Sequence, residues 1–175
     1  MKKINLSIIV PLYNEENTIL KILSRLNKIN DFCNIEIIVI DDGSTDNSRN
    51  IIKKNNSLYG KSIFFDKNMG KGKAIIEGIK QSKGDYIVIQ DADLEYDPKD
   101  LKNFILNINE NQSDLIMGSR FIGNKRSVLH FWHMAGNKFI TFLFNIINNT
   151  TFTDIYCCYC MFRKDLISYD ELKSH

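Results

Sequence analysis

The sequence has no long apolar run. A helix that crosses a bilayer needs about 20 consecutive apolar residues, and no stretch of this 175-residue chain approaches that length. The apolar stretch that begins at Leu6 ends at Pro11, which is too short for the core of a secretory signal, and no small-residue cleavage site follows it. The sequence therefore predicts a cytoplasmic protein, at most peripheral on the cytosolic face of a membrane.

Strong net charge is also lacking, and so are several common catalytic motifs. The formal net charge is +2, so no nucleic-acid partner is expected. No G-x-G-x-x-G sequence opens the first predicted helix, which argues against a nicotinamide or flavin enzyme. The Walker spacing is absent, and the 3 histidines are too scattered to suggest a Ser-His-Asp or Cys-His arrangement.

Cysteine is scarce, with 4 residues in the chain. Cys157, Cys158 and Cys160 form a C-C-x-C pattern, which lacks the paired C-x-x-C spacings of a zinc site and has no histidine close by. Reduced thiols packed in a core explain this pattern better than a metal does. With 43% hydrophobic and 25% charged residues the composition is ordinary, and residues 1–175 are expected to form one globular domain.

Strand-like and helix-like segments alternate along the chain. Short apolar runs predict buried strands, and residues with helical spacing predict amphipathic helices between them. The predicted strands are 6–10, 35–40, 62–65, 86–89 and 114–117. The inward side chains of the helices are Ile19, Ile22, Leu23 and Leu26, then Ala74, Ile75 and Ile79, then Leu101, Phe104, Ile105 and Ile108. This alternation predicts an α/β fold, with a mainly parallel sheet covered by helices on both faces.

The segment after the fifth predicted strand has a different character. It is aromatic around Trp132, and residues from Phe139 to Ile147 form a helix that is apolar nearly all round. A buried core helix is one interpretation. The other is a helix that lies in a bilayer interface, with Trp132 and the pair Lys125 and Arg126 as anchors. The sequence leaves both interpretations open.

The strongest candidate site follows the fourth predicted strand. Asp91, Asp93 and Glu95 alternate there, and side chains two residues apart in an extended segment point the same way, so these carboxylates are expected to face one cavity. A hard divalent cation, Mg²⁺ or Mn²⁺, would relieve their repulsion. The alternative is a solvated acidic loop that caps the next helix, with Asp97 as N-cap and Pro98 at the first helical position.

Other polar residues share this setting. In mainly parallel sheets, ligands bind beyond the carboxyl ends of the strands. The residues just past a predicted strand end, or in the loop after one, are Tyr13, Glu15, Asp42, Lys71, Asp91, Asp93 and Arg120. This set suits a nucleoside diphosphate, because a cation with Arg120 and Lys71 can neutralise the phosphates. Asp42 is then a hydrogen-bond acceptor for the base, and Tyr13 offers a face for stacking.

These motifs resemble those of the inverting glycosyltransferases of family 2, and within them the polyprenyl-phosphate (dolichyl-phosphate) mannose and glucose synthases. The resemblance covers nearly the whole chain in order, and it implies the GT-A (Rossmann-like) fold. It rests on residues 9–15, 40–46, 68–72, 90–98 and 118–121, and on 153–154 followed by 162–163.

The resemblance implies a role for each candidate residue. The contacts to the base and ribose would be Pro11, Tyr13, Glu15 and Asp42. Asp91 and Ala92 would lie against the sugar-nucleotide. Asp93 would hold the metal on the diphosphate, with Glu95 as a further ligand, and Arg120 would reach the phosphate or the acceptor.

The implied reaction transfers a sugar, with inversion, from a donor such as GDP-mannose or UDP-glucose to a polyprenyl phosphate at the membrane surface. A polyprenyl phosphate is already anionic and needs no strong base, whereas a glycan or protein hydroxyl needs one, for which Asp154 is the candidate. Relatives often have a basic residue at the position of Cys160, and the family usually continues beyond the last residue here. A sugar-nucleotide-binding module without turnover is therefore a third alternative.

Overall fold

The structure is a computed structural model that describes residues 3–29, 33–119, 131–157 and 159–168. The chain divides into two compact units. The first unit comprises Met1–Ile116 and Met161–His175, and the second comprises Met117–Cys160. That residues 1–175 act as one domain stays a prediction.

Strands and helices alternate through the first unit, as the sequence predicts. They are β1 (Asn5–Leu12), α1 (Ile19–Leu26), β2 (Asn34–Asp41), α2 (Ser48–Lys54), β3 (Lys61–Phe64), α3 (Lys71–Gln81), β4 (Tyr86–Ile89), α4 (Leu101–Asn111) and β5 (Leu115–Met117). Helix α5 (Phe131–Asn148) lies in the second unit, and β6 (Cys160–Arg163) follows it.

The strands form one sheet in the order β3-β2-β1-β4-β6-β5. The pairs β1–β2, β1–β4 and β2–β3 are parallel, whereas β6 runs antiparallel to β4. The predicted α/β fold with a mainly parallel sheet is confirmed. Because β1 to β4 are parallel, their carboxyl ends meet at one edge of the sheet, which is where ligands bind in such folds.

The core forms where helices cover the central strands. In β1, Ile8, Ile9 and Val10 are fully buried, since a central strand of a covered sheet is apolar on both faces. Helix α3 packs especially close at Gly78, where an added Cβ would lie 2.5 Å from Cγ2 of Ile9 and 2.9 Å from Cδ1 of Ile40. Only glycine permits this approach of α3 to the sheet.

The cysteines are buried or partly buried thiols where the structure describes them. Cys33 and Cys157 are buried and Cys160 is partly buried, and none of these three described cysteines is in a disulfide. Burial raises the pKa of the Cys33 thiol to about 11, against an opposing effect of Lys3. This agrees with reduced thiols packed in a core.

Helix α5 is exposed along most of its length. Trp132, Phe139 and Ile147 are 80%, 62% and 79% exposed. The buried position among its described side chains is a polar one, Thr141, whose hydroxyl donates to Oδ1 of Asn137 at 3.0 Å. The interpretation of this segment as a buried core helix is therefore wrong, because the residues that the structure describes leave most of its apolar side chains exposed.

The second interpretation, a helix in a bilayer interface, stays a prediction. Its suggested anchors Lys125 and Arg126 lie outside the described residues. In the part of the chain that the structure describes, no helix is both long and apolar enough to span a bilayer.

Candidate active site

A pocket of about 240 Å³ opens in the first unit, at the carboxyl ends of the parallel strands. The residues that line it are Pro11 and Leu12 at the end of β1, Tyr13 and Glu15 just after β1, Asp42 just after β2, Asn68 after β3, Lys71 at the start of α3, and Asp91, Ala92 and Asp93 after β4. Eight of these ten are candidates from the sequence, and the additions are Leu12 and Asn68. Most of the candidate residues that follow strand ends therefore line one pocket.

Tyr13 and Asp42 both line the pocket but differ in exposure. The side chain of Tyr13 is 44% exposed, so its ring is open to a ligand, whereas Asp42 is 3% exposed. Oδ1 of Asp42 accepts the Met69 N–H at 2.7 Å, and the Asp42 N–H donates to the Leu12 carbonyl at 2.8 Å. An open aromatic face beside a fixed acceptor is an arrangement that suits a flat heterocyclic base.

Asn14 ties the loop after β1 to the loop after β2. Its Oδ1 accepts the N–H groups of Thr45 at 2.8 Å and Asp46 at 3.3 Å, and its own N–H donates to Oγ of Ser44 at 3.0 Å. Its backbone is left-handed, with φ 56°, a conformation that asparagine tolerates better than most residues. Because Asn14 directly follows Tyr13, these hydrogen bonds also fix the backbone position of Tyr13.

Asp46 makes a second tie between the same two loops. Its Oδ2 accepts the Glu16 N–H at 3.1 Å and its Oδ1 accepts the Ser48 N–H at 2.9 Å. Burial alone raises the pKa of the Asp46 carboxyl, but the hydrogen bonds from Ser48 and Glu16 outweigh it and lower that pKa below its usual value. Asp46 therefore stays ionised at neutral pH and keeps its acceptor role.

Substituting Asn14 tests this tie. Asn14→Ala removes the shared acceptor and places a Cβ without a polar partner at positive φ, so we expect the free energy of unfolding to fall by about 1–3 kcal/mol. Asn14→Asp keeps an acceptor oxygen and is expected to lose less. Urea unfolding of both variants measures the difference, and an Asn14→Ala protein as stable as the wild type would contradict the role given to the side chain.

The loops after β2 and β3 touch at Gly43. This glycine has φ 71°, and an added Cβ would lie 2.4 Å from the carbonyl carbon of Lys67 and 2.6 Å from the backbone N of Asn68. The contacts are with backbone atoms, which cannot turn aside as a side chain does. Gly43 therefore lets the Asn68 side of the pocket lie directly against the Asp42 side.

Arg49 connects the same two loops through hydrogen bonds. Its Nε donates to Oδ2 of the buried Asp41 at 2.6 Å, and its guanidinium also donates to the carbonyl oxygen of Phe65. The guanidinium carbon lies 5.5 Å from the ring centroid of Phe64, within the range of a cation–π interaction. One side chain thus joins the ends of β2 and β3.

The chain after β4 is a closed turn and does not continue as an extended strand. Leu94 is left-handed, with φ 68°, and Oδ1 of Asp93 accepts the Glu95 N–H at 2.9 Å. The fully buried Gln90 closes the turn, because its Nε2 donates to the carbonyl oxygens of Asp91 at 3.2 Å and of Tyr96 at 3.1 Å.

This turn changes the set of carboxylates that share the pocket. Asp91, Ala92 and Asp93 are consecutive and all three line it, whereas Glu95 is not among the lining residues. The prediction that Asp91, Asp93 and Glu95 all face one cavity is therefore wrong, because it requires an extended backbone and the backbone here is a turn. Glu95 as a metal ligand stays a prediction without support from the pocket.

The helix-capping alternative applies to a different aspartate. Oδ1 of Asp97 accepts the Lys99 N–H at 3.1 Å and starts a short 3₁₀ turn, Pro98–Asp100, that leads into α4. The predicted N-cap followed by proline is confirmed at this position. Asp91 and Asp93 precede this cap in the chain and line the pocket instead.

The charge of the pocket is strongly acidic. Among the described lining residues, the carboxylates of Glu15, Asp42, Asp91 and Asp93 stand against the one ammonium of Lys71. Nζ of Lys71 lies 2.6 Å from Oδ1 of Asp91. A diphosphate that binds here needs positive charge to offset these carboxylates, and Lys71 and a divalent cation can supply it.

Two predicted residues cannot be placed in this pocket. Arg120 lies outside the described residues. Asp154 belongs to the second unit, where it is 2% exposed and its Oδ1 accepts from Nδ2 of Asn137 at 2.9 Å and from the Tyr156 N–H at 3.2 Å. These bonds give Asp154 a structural role within its unit, and its role as a base stays a prediction.

Comparison with known proteins extends these observations. The dolichol-phosphate mannosyltransferase of Pyrococcus furiosus is 36% identical over 117 residues, which is 66% of this chain and 33% of that protein. The matched part is therefore a third of the length of that curated relative. S. aureus TarS 1-349, solved in complex with UDP-GlcNAc, is 27% identical with a TM-score of 0.65, over 95% of this chain and 47% of that chain.

A more distant structure agrees in fold. Glucosyl-3-phosphoglycerate synthase from Mycobacterium tuberculosis, solved in complex with Mn²⁺, UDP and glucosyl-3-phosphoglycerate, has a TM-score of 0.69 at 17% identity, over 93% of this chain and 58% of that chain. At that identity the likeness shows the fold alone, and it confirms the predicted GT-A fold.

The resemblance found from the motifs is confirmed by a family model. Glycosyl transferase family 2 matches residues 7–169, nearly the whole chain. This range includes every residue that lines the pocket. The chain therefore belongs to glycosyl transferase family 2.

Proposed function

We propose that this chain binds a nucleoside-diphosphate sugar and, with a divalent cation, transfers the sugar with inversion to a polyprenyl phosphate. The observation that carries the proposal is the pocket at the ends of the parallel strands, where Tyr13, Asp42 and the Asp91–Asp93 turn surround about 240 Å³. Two relatives support the two halves of the reaction. TarS was solved with UDP-GlcNAc, and the P. furiosus relative carries the name dolichol-phosphate mannosyltransferase.

The donor would lie across the pocket with its base at the Tyr13 end. Tyr13 stacks on the base, and Asp42, held by the Met69 N–H, accepts a hydrogen bond from it. The diphosphate then lies toward Lys71 and Asp93. Asp91 and Ala92 lie against the sugar, so that the anomeric carbon faces out of the pocket toward the acceptor.

The donor set of the pocket fits a divalent cation that is shared with the diphosphate. Among the described residues, no three His, Cys, Asp or Glu side chains form a ready-made metal cluster. Mg²⁺ usually binds through one or two carboxylates and takes its other ligands from phosphates and water, and Asp93 offers such a carboxylate in the pocket. Negative charge that builds on the departing nucleoside diphosphate would be offset by the bound cation.

The acceptor decides whether a base is needed. A phosphate oxygen of the polyprenyl phosphate attacks the anomeric carbon from the side opposite the diphosphate, a new C–O bond forms, and the bond to the nucleoside diphosphate breaks. The attacking oxygen is already anionic near pH 7, so no proton has to be removed. This acceptor is consistent with Asp154 being buried and bonded within its own unit.

Helix α5 supplies a surface for reaching a lipid acceptor. Phe139, Phe142, Leu143 and Ile146 are exposed, with Trp132 near its start. A helix with exposed aromatic and aliphatic residues binds at the boundary of headgroups and acyl chains. We propose that α5 places the protein on the membrane that holds the polyprenyl phosphate.

Polar substitutions in α5 test this placement. Phe139→Ser combined with Leu143→Ser removes two exposed apolar side chains, and because each is worth about 1.5–3 kcal/mol when fully buried, we expect liposome binding to fall at least about tenfold. Leu106→Ser on α4, which is 39% exposed, is the matched control and is expected to bind like the wild type. Co-sedimentation with phospholipid vesicles measures this, and equal loss in both variants would contradict the proposal for α5.

The transfer itself is tested with labelled donors. GDP-mannose, UDP-glucose and UDP-GlcNAc are each incubated with Mn²⁺ and either a polyprenyl phosphate or a soluble glycan. The proposal predicts label in the organic phase with one donor. Label in the glycan alone would move the acceptor to a hydroxyl, and donor binding without any transfer would leave a sugar-nucleotide-binding module.

A further inference from the structure

Lys71 joins two walls of the pocket through its ion pair with Asp91. Lys71 is the first residue of α3, and its Nζ lies 2.6 Å from Oδ1 of Asp91 at the end of β4. The Asp91 side chain is 14% exposed, whereas that of Lys71 is 50% exposed. The aspartate is therefore fixed in the wall, and the lysine is the partner that is free to move.

The start of α3 is electrostatically suited to an anion that is not part of the helix. Helix N-termini carry a partial positive charge and attract phosphates and carboxylates. The first turn of α3, which is described throughout, holds Lys71 and Lys73 and no acidic residue. Asp91 supplies negative charge from outside the helix, and a diphosphate that entered the pocket would compete with it for the same ammonium.

We infer that Lys71 exchanges between two partners: it pairs with Asp91 in the absence of nucleotide and turns to the diphosphate when a nucleotide binds, which frees Asp91. The inference rests on the proposed function, because it takes a nucleoside diphosphate as the ligand. It adds an order to binding. The divalent cation and the Lys71 ammonium repel each other at the Asp91–Asp93 turn, so the cation binds well only after the diphosphate has drawn Lys71 away.

The exchange predicts effects of opposite sign from one substitution. Lys71→Met removes the ammonium but keeps the length and apolar stem of the side chain. Without nucleotide, the variant is expected to bind Mn²⁺ about three- to tenfold more tightly than the wild type, because Asp91 has lost its competing cation. In EDTA, the same variant is expected to bind UDP or GDP at least about threefold more weakly, because the diphosphate has lost its ammonium.

Two further variants separate this exchange from a general effect of charge. Lys73→Met removes a lysine from the same helical turn and is expected to change Mn²⁺ affinity much less, since the ion pair with Asp91 is made by Lys71. Lys71→Met combined with Asp91→Asn is expected to lose the gain in Mn²⁺ affinity. Mn²⁺ binding is measured by electron paramagnetic resonance of the free ion, and nucleotide binding by calorimetry.

Each outcome bears on the inference. Tighter Mn²⁺ binding with weaker nucleotide binding in Lys71→Met supports it. Unchanged or weaker Mn²⁺ binding in that variant, with normal nucleotide binding by the wild type, overturns the exchange and leaves the proposed function intact. A wild-type protein that binds neither UDP nor GDP overturns the proposed function, and the exchange with it.

Discussion

Replacing Asp93 with alanine is expected to abolish cation-dependent nucleotide binding and to lower sugar transfer by at least about a thousandfold. The carboxylate of Asp93 lies in the pocket, and its Oδ1 is held by the Glu95 N–H at 2.9 Å. Its position is therefore set by the turn before any ligand arrives. Without it, Asp91 is the one carboxylate of the turn left among the described lining residues, and the cation loses the ligand that the turn holds in place.

Two control variants make this result specific. Asp93→Asn keeps an oxygen for the Glu95 N–H and removes the charge, so it is expected to fold like the wild type and to lose cation-dependent binding as Asp93→Ala does. Asp97→Asn changes a nearby aspartate that caps a 3₁₀ turn, and its effect on nucleotide binding is expected to be small. Calorimetric titration with UDP or GDP and Mn²⁺ measures all three. Normal affinity of Asp93→Ala in the presence of Mn²⁺ would sink the metal assignment.

Gly43→Ala is expected to lower the free energy of unfolding by about 2–4 kcal/mol and to weaken nucleotide binding in the remaining folded protein. Alanine is strained at φ 71°, and its Cβ would lie 2.4 Å from the backbone of Lys67. The two loops cannot separate easily, because Arg49 donates hydrogen bonds both to Asp41 at the end of β2 and to Phe65 after β3. Any shift moves the Asp42 side of the pocket away from its other side.

Gly72→Ala is the matched control for this change. It introduces the same methyl group near the pocket, but outside its own helical turn no atom of the described residues lies within 4 Å of the added Cβ, and the backbone is not left-handed. Because Gly72 lies in α3, alanine is expected to stabilise the protein by about 0.5–1 kcal/mol. Denaturant unfolding compares the two variants, and equal stability would contradict the close contact assigned to Gly43.

The sequence predicted the parts of the fold that depend on periodicity and strand ends. The spacing of Ile19, Ile22, Leu23 and Leu26 identified the inner face of α1, and all four are fully buried. A parallel sheet brings the ends of successive strands to one edge. This rule predicts that Tyr13, Asp42, Lys71 and Asp91 lie together, and all four line the pocket. These signals are local in the chain or follow from the topology alone.

The features that escaped prediction depend on side-chain hydrogen bonds, on left-handed backbone and on contacts between distant residues. Gln90 and Leu94 shape the turn after β4 through a buried amide and a left-handed backbone, and neither leaves a periodic signal. Gly78 and Asn14 matter because of what packs against them. Strand β6 is not among the predicted strands, and the hydrophobic pattern does not indicate that it enters the sheet antiparallel beside β4.

The apolar pattern of helix α5 predicted the helix but not what surrounds it. A helix that is apolar nearly all round is compatible with a protein core or with a membrane surface, and the sequence cannot say which layer covers it. The exposure of Phe139 and Ile147 excludes the core within the described residues. The membrane surface remains as the proposal.

Calorimetric titration of the unaltered protein with UDP and with GDP, each with Mn²⁺, tests the central claim most directly. The pocket is proposed as a nucleoside diphosphate site, so one of the two nucleotides should bind with a dissociation constant of about 1 mM or lower, with an affinity that falls in EDTA. Uridine and guanosine should bind more weakly, because they lack the diphosphate that Lys71 and the cation hold. The absence of binding by both nucleotides, at protein concentrations where such an affinity is measurable, would contradict the account.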